Sequence, residues 1–516
     1  MTGDITEIKQ RLQELETKMK DEPGSREFLF DQIHPKQQQA ARNLLHYLTL
    51  RNEDIRELQD KLHVAGLSSL ASSESHIHSQ LQSILQLLGK EYKDEELESC
   101  TYSFSKKEIS DKSKSLFGEK SDEGIPYLMV TFDSSFADNY AIIKSLLQNG
   151  MNVARINCAH DDEATWSRMI QLLKRACMYT GLSCKVYMDL AGPKIRTRLL
   201  RKGHKKGKVK VKEGELIWLA EKEDGFSADD IVISANEPGI IQSLQKNDRV
   251  YIDDGMIHGL IEKKKKKKAA MRIVRVSSKK QQIREDKGIN FPDSSFSIPS
   301  LTDFDKQCLP FMCEYADLVG YSFVRYPKDL SNLQEELKKH SSKPPLVIIK
   351  IETPEAVKNL PGLLLQGMRQ EVFGAMIARG DLAVEIGFER LGEIQEEILW
   401  ICEAAHVPVV WATQVLESLN KSGMTTRSEI TDAAHAALAE CVMINKGDHT
   451  AEVIETLKDI LHRIGRHHIK KRFSFRPLDI AQTFLNKQQP VLNIRNPGML
   501  TTPASPPDSH RDSSYR

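Results

Sequence analysis

Six short apolar runs in the later part of the chain end in side chains able to do chemistry. Val153–Asn157 closes on Arg155 and Asn157, with His160 just beyond, and Lys185–Asp189 closes on Asp189, followed by Lys194 and Arg196. Leu318–Tyr321 is followed by Ser322 and Arg325, and Leu346–Ile351 carries Lys350 and leads into Glu352. Ala375–Ala378 is followed by Arg379 and Asp381, and Val407–Ala412 by Thr413 and Gln414. Carboxylates after neighbouring runs, Glu352 and Asp381, suit Mg²⁺, a hard ion that prefers oxygen ligands. Arginines and a lysine suit phosphate, by charge and by fork geometry. The set therefore points to metal-assisted chemistry on a phosphorylated or carboxylate substrate. Plainer readings stand beside it. Lys350 and Glu352 would make a surface pair, although they follow the apolar stretch LVII, where a charge is costly unless used. Asp381 would cap a helix, Arg155 would serve Asp189 as a structural partner, and His160 would be a satisfied polar histidine. Thr413 alone carries no signal.

Those termini need a scaffold that brings them to one place. With Tyr127–Phe132 and Cys441–Asn445 the runs number eight, and longer helical patterns separate them. The alternation predicts βαβ units closed as a (β/α)8 TIM barrel, whose active site lies at the strand C-termini; an open doubly wound sheet is the alternative. The gap from Asp189 to Leu318 is far too long for one helix. Its residues 197–290 hold short β-like segments among Gly and Lys, which predicts a small β-barrel domain inserted after the third strand as a lid. The barrel is then assigned 121–196 and 291–463. Residues 1–120 read as a helical extension, with Ile5, Ile8, Leu12, Leu15 and Met19 in one stripe and Ile77, Leu81, Ile84 and Leu88 in another. Such stripes serve either a partner or packing on the chain's own domain, and the second is favoured. The tail, 464–516, is rich in proline from Phe475 onward, and its end TTPASPPDSHRDSSYR is of low complexity, which predicts disorder.

Composition narrows the class. The 516 residues carry 73 Lys and Arg against 72 Asp and Glu, a net charge of +1, which argues against a general nucleic-acid or membrane-surface binder. No apolar run approaches the roughly 18 residues of a membrane span. The 8 cysteines are scattered without a C-x-x-C pair and read as reduced thiols. The segment MTGDITEIKQRLQELETKMK carries four acidic residues and lacks an apolar core, unlike a signal or transit peptide, so a cytoplasmic location is expected.

At this point the residues resemble a known family. RINCAH (155–160), MDLAGPKIRT (188–197), YIDDGMI (251–257), SFVR (322–325), IIKIET (348–353), MIARGDLAVEIG (376–387), ATQVLES (412–418) and TTRSEITDAAHA (425–436) resemble pyruvate kinase segments, in order, from about 127 to 463. The pattern is most similar to shortened, divergent plant and bacterial members, which include plastidial forms. The resemblance implies transfer of the phosphoryl group of phosphoenolpyruvate to ADP, giving pyruvate and ATP, the last step of glycolysis. It implies Glu352 and Asp381 as ligands of Mg²⁺ or Mn²⁺, and Lys350 as the group that stabilises the moving phosphoryl. Arg155 matches a phosphate-binding arginine, and Arg196 one that approaches the nucleotide phosphates. Asn157 and His160 fall in the nucleotide and cation region, Thr413 near the enolate, and backbone N–H groups at Gly380 and Asp381 where the substrate carboxylate is held. It further implies a homo-oligomer and, as the alternative compartment, the plastid.

The chain departs from the family pattern in places. Ala159 stands for Ser, Leu190-Ala191 for Thr-Lys, and Lys194 for the Glu of K⁺-dependent members. An ammonium can take the role of a fixed monovalent cation, so K⁺ is not expected to be required at the region of Asn157, Asp189 and Lys194. The nucleotide loop reads TFDSSF (131–136), NKGDHT (445–450) replaces the usual segment after the eighth strand, and the family's C-terminal domain is not expected, nor its tetramer assured. Two further readings stay open: a Mg²⁺-dependent aldolase or mutase acting on pyruvate-like substrates, and a catalytically weak or inactive binding protein. The latter would act through the N-terminal helices or the run Lys263–Lys268, which reads more simply as a solvated hairpin.

Overall fold

The computed structural model describes residues 2–25, 30–120, 122–201, 204–278, 281–294, 296, 298–465, 468–469 and 472–473. Strands β1 (Tyr127–Thr131), β2 (Val153–Asn157) and β3 (Lys185–Asp189) open a parallel sheet. An insertion then supplies β4 (Thr197–Leu199), β5 (Lys208–Lys210), β6 (Leu216–Ala220), β7 (Val232–Ala235), β8 (Arg249–Ile252), β9 (Ile257–Lys265), β10 (Lys268–Val276), β11 (Gln282–Arg284) and β12 (Ile289–Asn290). The parallel sheet resumes with β13 (Leu318–Tyr321), β14 (Leu346–Ile351), β15 (Gly374–Ala378), β16 (Val409–Ala412) and β17 (Cys441–Ile444). These last five and the first three close as a barrel in the order β1-β2-β3-β13-β14-β15-β16-β17. The open-sheet alternative is thereby excluded.

Barrel strands face side chains on both sides, so they read as continuous apolar runs. Their period of two is still visible in the packing. Met129, Val153, Tyr187, Leu318, Ile348, Met376, Val410, Cys441 and Met443 fill the interior. The alternate residues, such as Val130, Ala154, Met188, Val319, Ile349, Ile377 and Trp411, pack under the outer helices. Counting in twos from the interior set reaches Thr131, Arg155, Asp189, Lys350 and Glu352, which places these polar side chains on the barrel axis at its C-terminal mouth. Gly320 lies on the same inward phase. A Cβ there would stand 1.9 Å from the Tyr187 hydroxyl and 2.1 Å from Asp189 Oδ1, so only glycine leaves room for that pair.

The opposite mouth is plugged from outside the barrel sequence. Leu116 and Phe117, ending the helix Tyr102–Phe117, join the interior cluster, with the Phe117 ring 5.2 Å from that of Tyr127. The preceding helices, Thr2–Ser25, Gln38–Arg51, Arg56–Val64 and Ile77–Leu87, pack on one another and on the barrel. Ile8, Leu12, Leu15 and Met19 are buried there, whereas Ile5 stays 39% exposed. The stripes therefore serve packing within the chain. Buried Asn43 couples the two regions, donating to Glu74 O and Ala404 O, each at 2.8 Å.

The insertion forms a seven-stranded sheet, β12-β8-β9-β10-β6-β7-β4, and a two-stranded ladder, β11-β5. The two edges of the larger sheet meet at one antiparallel bridge, Arg196 opposite Gly288, flanked by Ile289 N–H to Ile195 O at 3.0 Å. The expected small barrel is thus a curled sheet closed at a single seam. Lys263–Lys268 forms the β9–β10 hairpin tip, with Lys268 opposite Lys265 and most of the run exposed, as a solvated hairpin requires. The chain divides into units 1–473 and 474–516; the second lies outside the described residues, and with it the proline-rich tail from Phe475. No described helix is long and apolar enough to cross a membrane.

Candidate functional site

Asp189, at the end of β3, is the hub of the barrel mouth. Its Oδ2 accepts from Arg155 Nη2 at 2.6 Å and Nε at 2.9 Å, and lies 3.5 Å from Lys350 Nζ. Its Oδ1 accepts from the Tyr187 hydroxyl at 2.7 Å. Arg155 Nη1 also donates to Thr131 Oγ1 at 3.0 Å. Burial raises the Asp189 carboxyl, but Lys350 and Arg155 together outweigh it and hold the group ionised, below its ordinary range. Lys350 feels the same balance in reverse: burial lowers it, and Asp189 and Glu352 more than restore it. Arg155 therefore has both the structural partner and the axial position that the sequence reading set against each other.

Lys350 connects this hub to the acidic pair. Its ammonium is 3.0 Å from Glu352 Oε1 and donates to Ser322 Oγ at 2.8 Å. The second Glu352 oxygen accepts from the Phe323 N–H at 2.6 Å, at a backbone position with φ 53°. Asp381 stands in the first turn of the helix Arg379–Ile386 that follows β15, and its Oδ1 is 2.7 Å from Lys194 Nζ. Burial raises the pKa of Glu352; Lys350 opposes this and Asp381 adds to it. Two carboxylates that crowd each other in this way form a donor set that a hard divalent cation would relieve. The residues present therefore fit Mg²⁺ or Mn²⁺.

Thr413 follows β16 with φ 67°, and Gln414 and Leu416 also have positive φ, at 58° and 49°. Such backbone persists where surroundings impose it. Here Arg379 imposes it: Nε donates to Ala412 O at 3.0 Å, Nη2 to Thr413 O at 2.6 Å and to Asp432 Oδ2 at 2.9 Å, while the guanidinium lies 4.5 Å from the Trp411 ring. The Gly380 N–H donates to Thr413 Oγ1 at 2.8 Å. That bond occupies an amide expected to hold a substrate carboxylate, and it leaves the threonine's own hydroxyl proton free to point away from Gly380.

On another side of the mouth, Asn157 Oδ1 accepts from the Ala159 N–H at 3.0 Å, and His160 O accepts from Trp166 Nε1 at 2.9 Å. The His160 ring reaches solvent. Its partial burial, then the nearby Lys446 and Arg196, hold its pKa below the ordinary value. Arg196 itself donates to Asp286 O at 3.1 Å. His160, Arg196 and Lys446 thus share a positive region of the kind that phosphates seek. Sequence reasoning missed Lys446, although it sits directly after the eighth apolar run, in the same relation to its strand as the other site residues to theirs. The loop TFDSSF is organised by Asp133, which accepts from the Ser135 N–H at 3.0 Å, and by Phe132 stacked on Phe136 at 4.3 Å. Arg325 does not join the site: its guanidinium donates to Phe296 O and Ile298 O.

One further contact couples the insertion to the barrel. Asn290 Nδ2 donates to Glu385 Oε1 at 2.7 Å, one helical turn from Asp381. Burial raises the Glu385 carboxyl to about 7, Asn290 opposing and Asp381 adding. An acid whose pKa is raised by folding contributes fully while both states are protonated, below its ordinary range near 4.5, and that contribution is lost as pH rises towards 7. In the absence of divalent ions, wild type is expected to lose on the order of 2–3 kcal/mol relative to Glu385→Gln between about pH 4 and about pH 8. Urea unfolding midpoints across that interval check this, and parallel curves for the two proteins would refute it.

Comparison with known proteins agrees with this fold. The family model for the pyruvate kinase barrel domain matches residues 129–452, more than half of the chain. The chain is 31% identical over 350 residues to a pyruvate kinase of Thermotoga maritima, covering 66% of this chain and 71% of that protein. It is 32% identical over 308 residues to a probable cytosolic pyruvate kinase isozyme of Arabidopsis thaliana, covering 59% of this chain and 60% of that one. It is 30% identical over 325 residues to a pyruvate kinase of Geobacillus stearothermophilus, covering 62% of this chain and 53% of that protein. The crystal structure of a pyruvate kinase from Cryptosporidium parvum matches with a TM-score of 0.59 at 24% identity, over 68% of this chain and 72% of that one, a likeness of fold.

Proposed function

The chain belongs to the pyruvate kinase family, and from that premise we propose that it transfers the phosphoryl group of phosphoenolpyruvate to ADP. The observation that carries the reading is the Lys350 ammonium on the barrel axis, 3.0 Å from Glu352 and 3.5 Å from Asp189, with Arg155 fastened to the same aspartate. Phosphoryl transfer asks the protein mainly for positioning and for charge to meet the migrating group. Lys350 and Arg155 provide that charge, and Asp189 keeps both pointed at one spot. Glu352 and Asp381 would hold Mg²⁺, which when bound supplies positive charge to the phosphoryl and enolate oxygens. Thr413, its Oγ1 occupied as acceptor by Gly380, keeps its hydroxyl proton available for the enolate carbon. Asn157, His160 and Arg196, with Lys446, serve the nucleotide phosphates. The insertion, tied to the barrel through Asn290 and Glu385, acts as a lid that excludes water. The reading includes a cytoplasmic location and a homo-oligomer.

The test is pyruvate formation from phosphoenolpyruvate, ADP and Mg²⁺, with Asp381→Asn alongside. Activity in wild type that the variant lacks supports the reading. No turnover with any nucleoside diphosphate overturns it and favours the binding-protein alternative.

The same reading dispenses with K⁺. Ala159 and Leu190 have no side-chain oxygen to offer a cation, and the Lys194 ammonium stands 2.7 Å from Asp381. Rates are expected to be equal in sodium, potassium and tetramethylammonium salts at one ionic strength. A large stimulation by potassium alone would refute the assignment of Lys194.

A further inference from the structure

The N-terminal helices carry a cluster of titratable side chains that the barrel chemistry does not use. His46 lies on Gln38–Arg51, His78 on Ile77–Leu87, and Glu98 in the segment that leads to the next helix. Their side chains are 3%, 5% and 11% exposed. One donor atom from each lies within 4.8 Å of the others. Glu98 Oε2 is 3.1 Å from His78 Nδ1 and 3.9 Å from His46 Nδ1, and the two imidazole rings meet edge-on with centroids 4.7 Å apart.

Two observations say that this is more than an ion pair. Among the described residues, His46 Nδ1 is a buried polar atom with no hydrogen-bond partner, an arrangement that costs stability unless something satisfies it. The Glu98 carboxylate, meanwhile, is braced from behind: Oε1 accepts from the Cys100 N–H at 3.2 Å, and the Glu98 N–H is held by Gln82 Oε1 at 2.7 Å. On the far side of His78, Nε2 faces Glu16 Oε1 at 3.6 Å. Glu16 is 2% exposed and is itself anchored by Lys20 at 3.0 Å, Lys90 at 2.5 Å and the Tyr92 hydroxyl at 3.0 Å.

We propose that His46, His78 and Glu98 form a binding site for a divalent transition metal of the zinc class, with Glu16 orienting His78 from outside. Two imidazole nitrogens and one carboxylate oxygen make a donor set suited to zinc, whereas Mg²⁺ prefers oxygen alone. Donors about 2.1 Å from a tetrahedral centre stand roughly 3.4 Å from one another, and the observed 3.1 and 3.9 Å bracket that spacing. Glu16 beside the other nitrogen of His78 reproduces the carboxylate–histidine–metal relay that sets ring orientation in such sites. The ion would staple three separate elements of the helical region. The competing account is a metal-free network in which a protonated His78 bridges Glu16 and Glu98.

The test uses the full chain, stripped with chelator and held in excess Mg²⁺ to fill the barrel's oxygen site. Titration with Co²⁺ is expected to give a tetrahedral ligand-field spectrum that saturates at one ion per chain and is displaced by Zn²⁺. His46→Gln and His78→Gln should abolish that spectrum, Glu16→Gln should keep it and weaken affinity by about 10–100-fold, and Asp381→Asn should leave it unchanged. Absence of tetrahedral Co²⁺, or a spectrum indifferent to His46→Gln, overturns the proposal in favour of the metal-free network. A spectrum lost only in Asp381→Asn also overturns it, by moving the ion to the barrel. If either histidine variant fails to fold, zinc-edge X-ray absorption of wild type decides by counting imidazole neighbours: two support the site, none refutes it.

Discussion

Lys350→Met is expected to lower pyruvate formation by about 10²–10³-fold, the loss typical of removing one preorganised electrostatic contact to a transition state. The Lys350 ammonium touches Glu352 and Asp189 together, at 3.0 and 3.5 Å, and Ser322 fixes it from a third direction at 2.8 Å. It is therefore aimed before substrate arrives. Methionine has similar length and no charge, so the change reports on charge more than on shape. The measurement is kcat with saturating phosphoenolpyruvate and ADP, together with KM for each. A fall confined to KM, with kcat preserved, would mean that Lys350 only binds substrate, and would overturn its place in the transfer step.

Asp189→Ala is expected to cost about 3–5 kcal/mol of stability, because it strands buried cations without their counter-charge. Asp189 is 1% exposed and Arg155 11%, and among the described residues Arg155 would keep only Thr131 as a side-chain hydrogen-bond partner. An exposed pair provides the contrast. Lys36 and Glu371, 69% and 54% exposed, stand as close at 2.5 Å, yet Lys36→Met should leave the unfolding midpoint nearly unchanged, since water and salt screen the pair. Urea unfolding midpoints of the two variants against wild type decide the matter; equal losses would show that burial is not what gives the Asp189 contacts their weight. Asp189→Ala should also depress pyruvate formation, since both Lys350 and Arg155 lose their common anchor.

Much of this organisation is legible before any coordinates. The eight apolar runs become the eight barrel strands with ends shifted by a residue or two: Val407–Ala412 is observed as Val409–Ala412, and Cys441–Asn445 as Cys441–Ile444. The polar residues beyond them gather at one mouth because parallel strands all present their C-termini to the same side. Arg325 is the exception, since the backbone carbonyls of residues 296 and 298 claim its guanidinium. The plug formed by Leu116 and Phe117 is not legible either; as part of a helix they carry no mark of the barrel interior they enter.

Local pattern by itself determined the strands, the insertion between the third and fourth of them, the position of Arg155, Asp189, Lys350 and Glu352 at strand ends, and the chemistry that such a set can do. Those properties depend on alternation and residue type over a few neighbours, which a linear string records. Tertiary structure alone decided the pairings: Asp189 shared between Arg155 and Lys350, Lys194 on Asp381, Asn290 on Glu385, and His46 brought to His78 and Glu98. Each joins elements distant along the chain, and which side chains meet depends on barrel closure and helix docking, quantities that exist only once the whole core has packed.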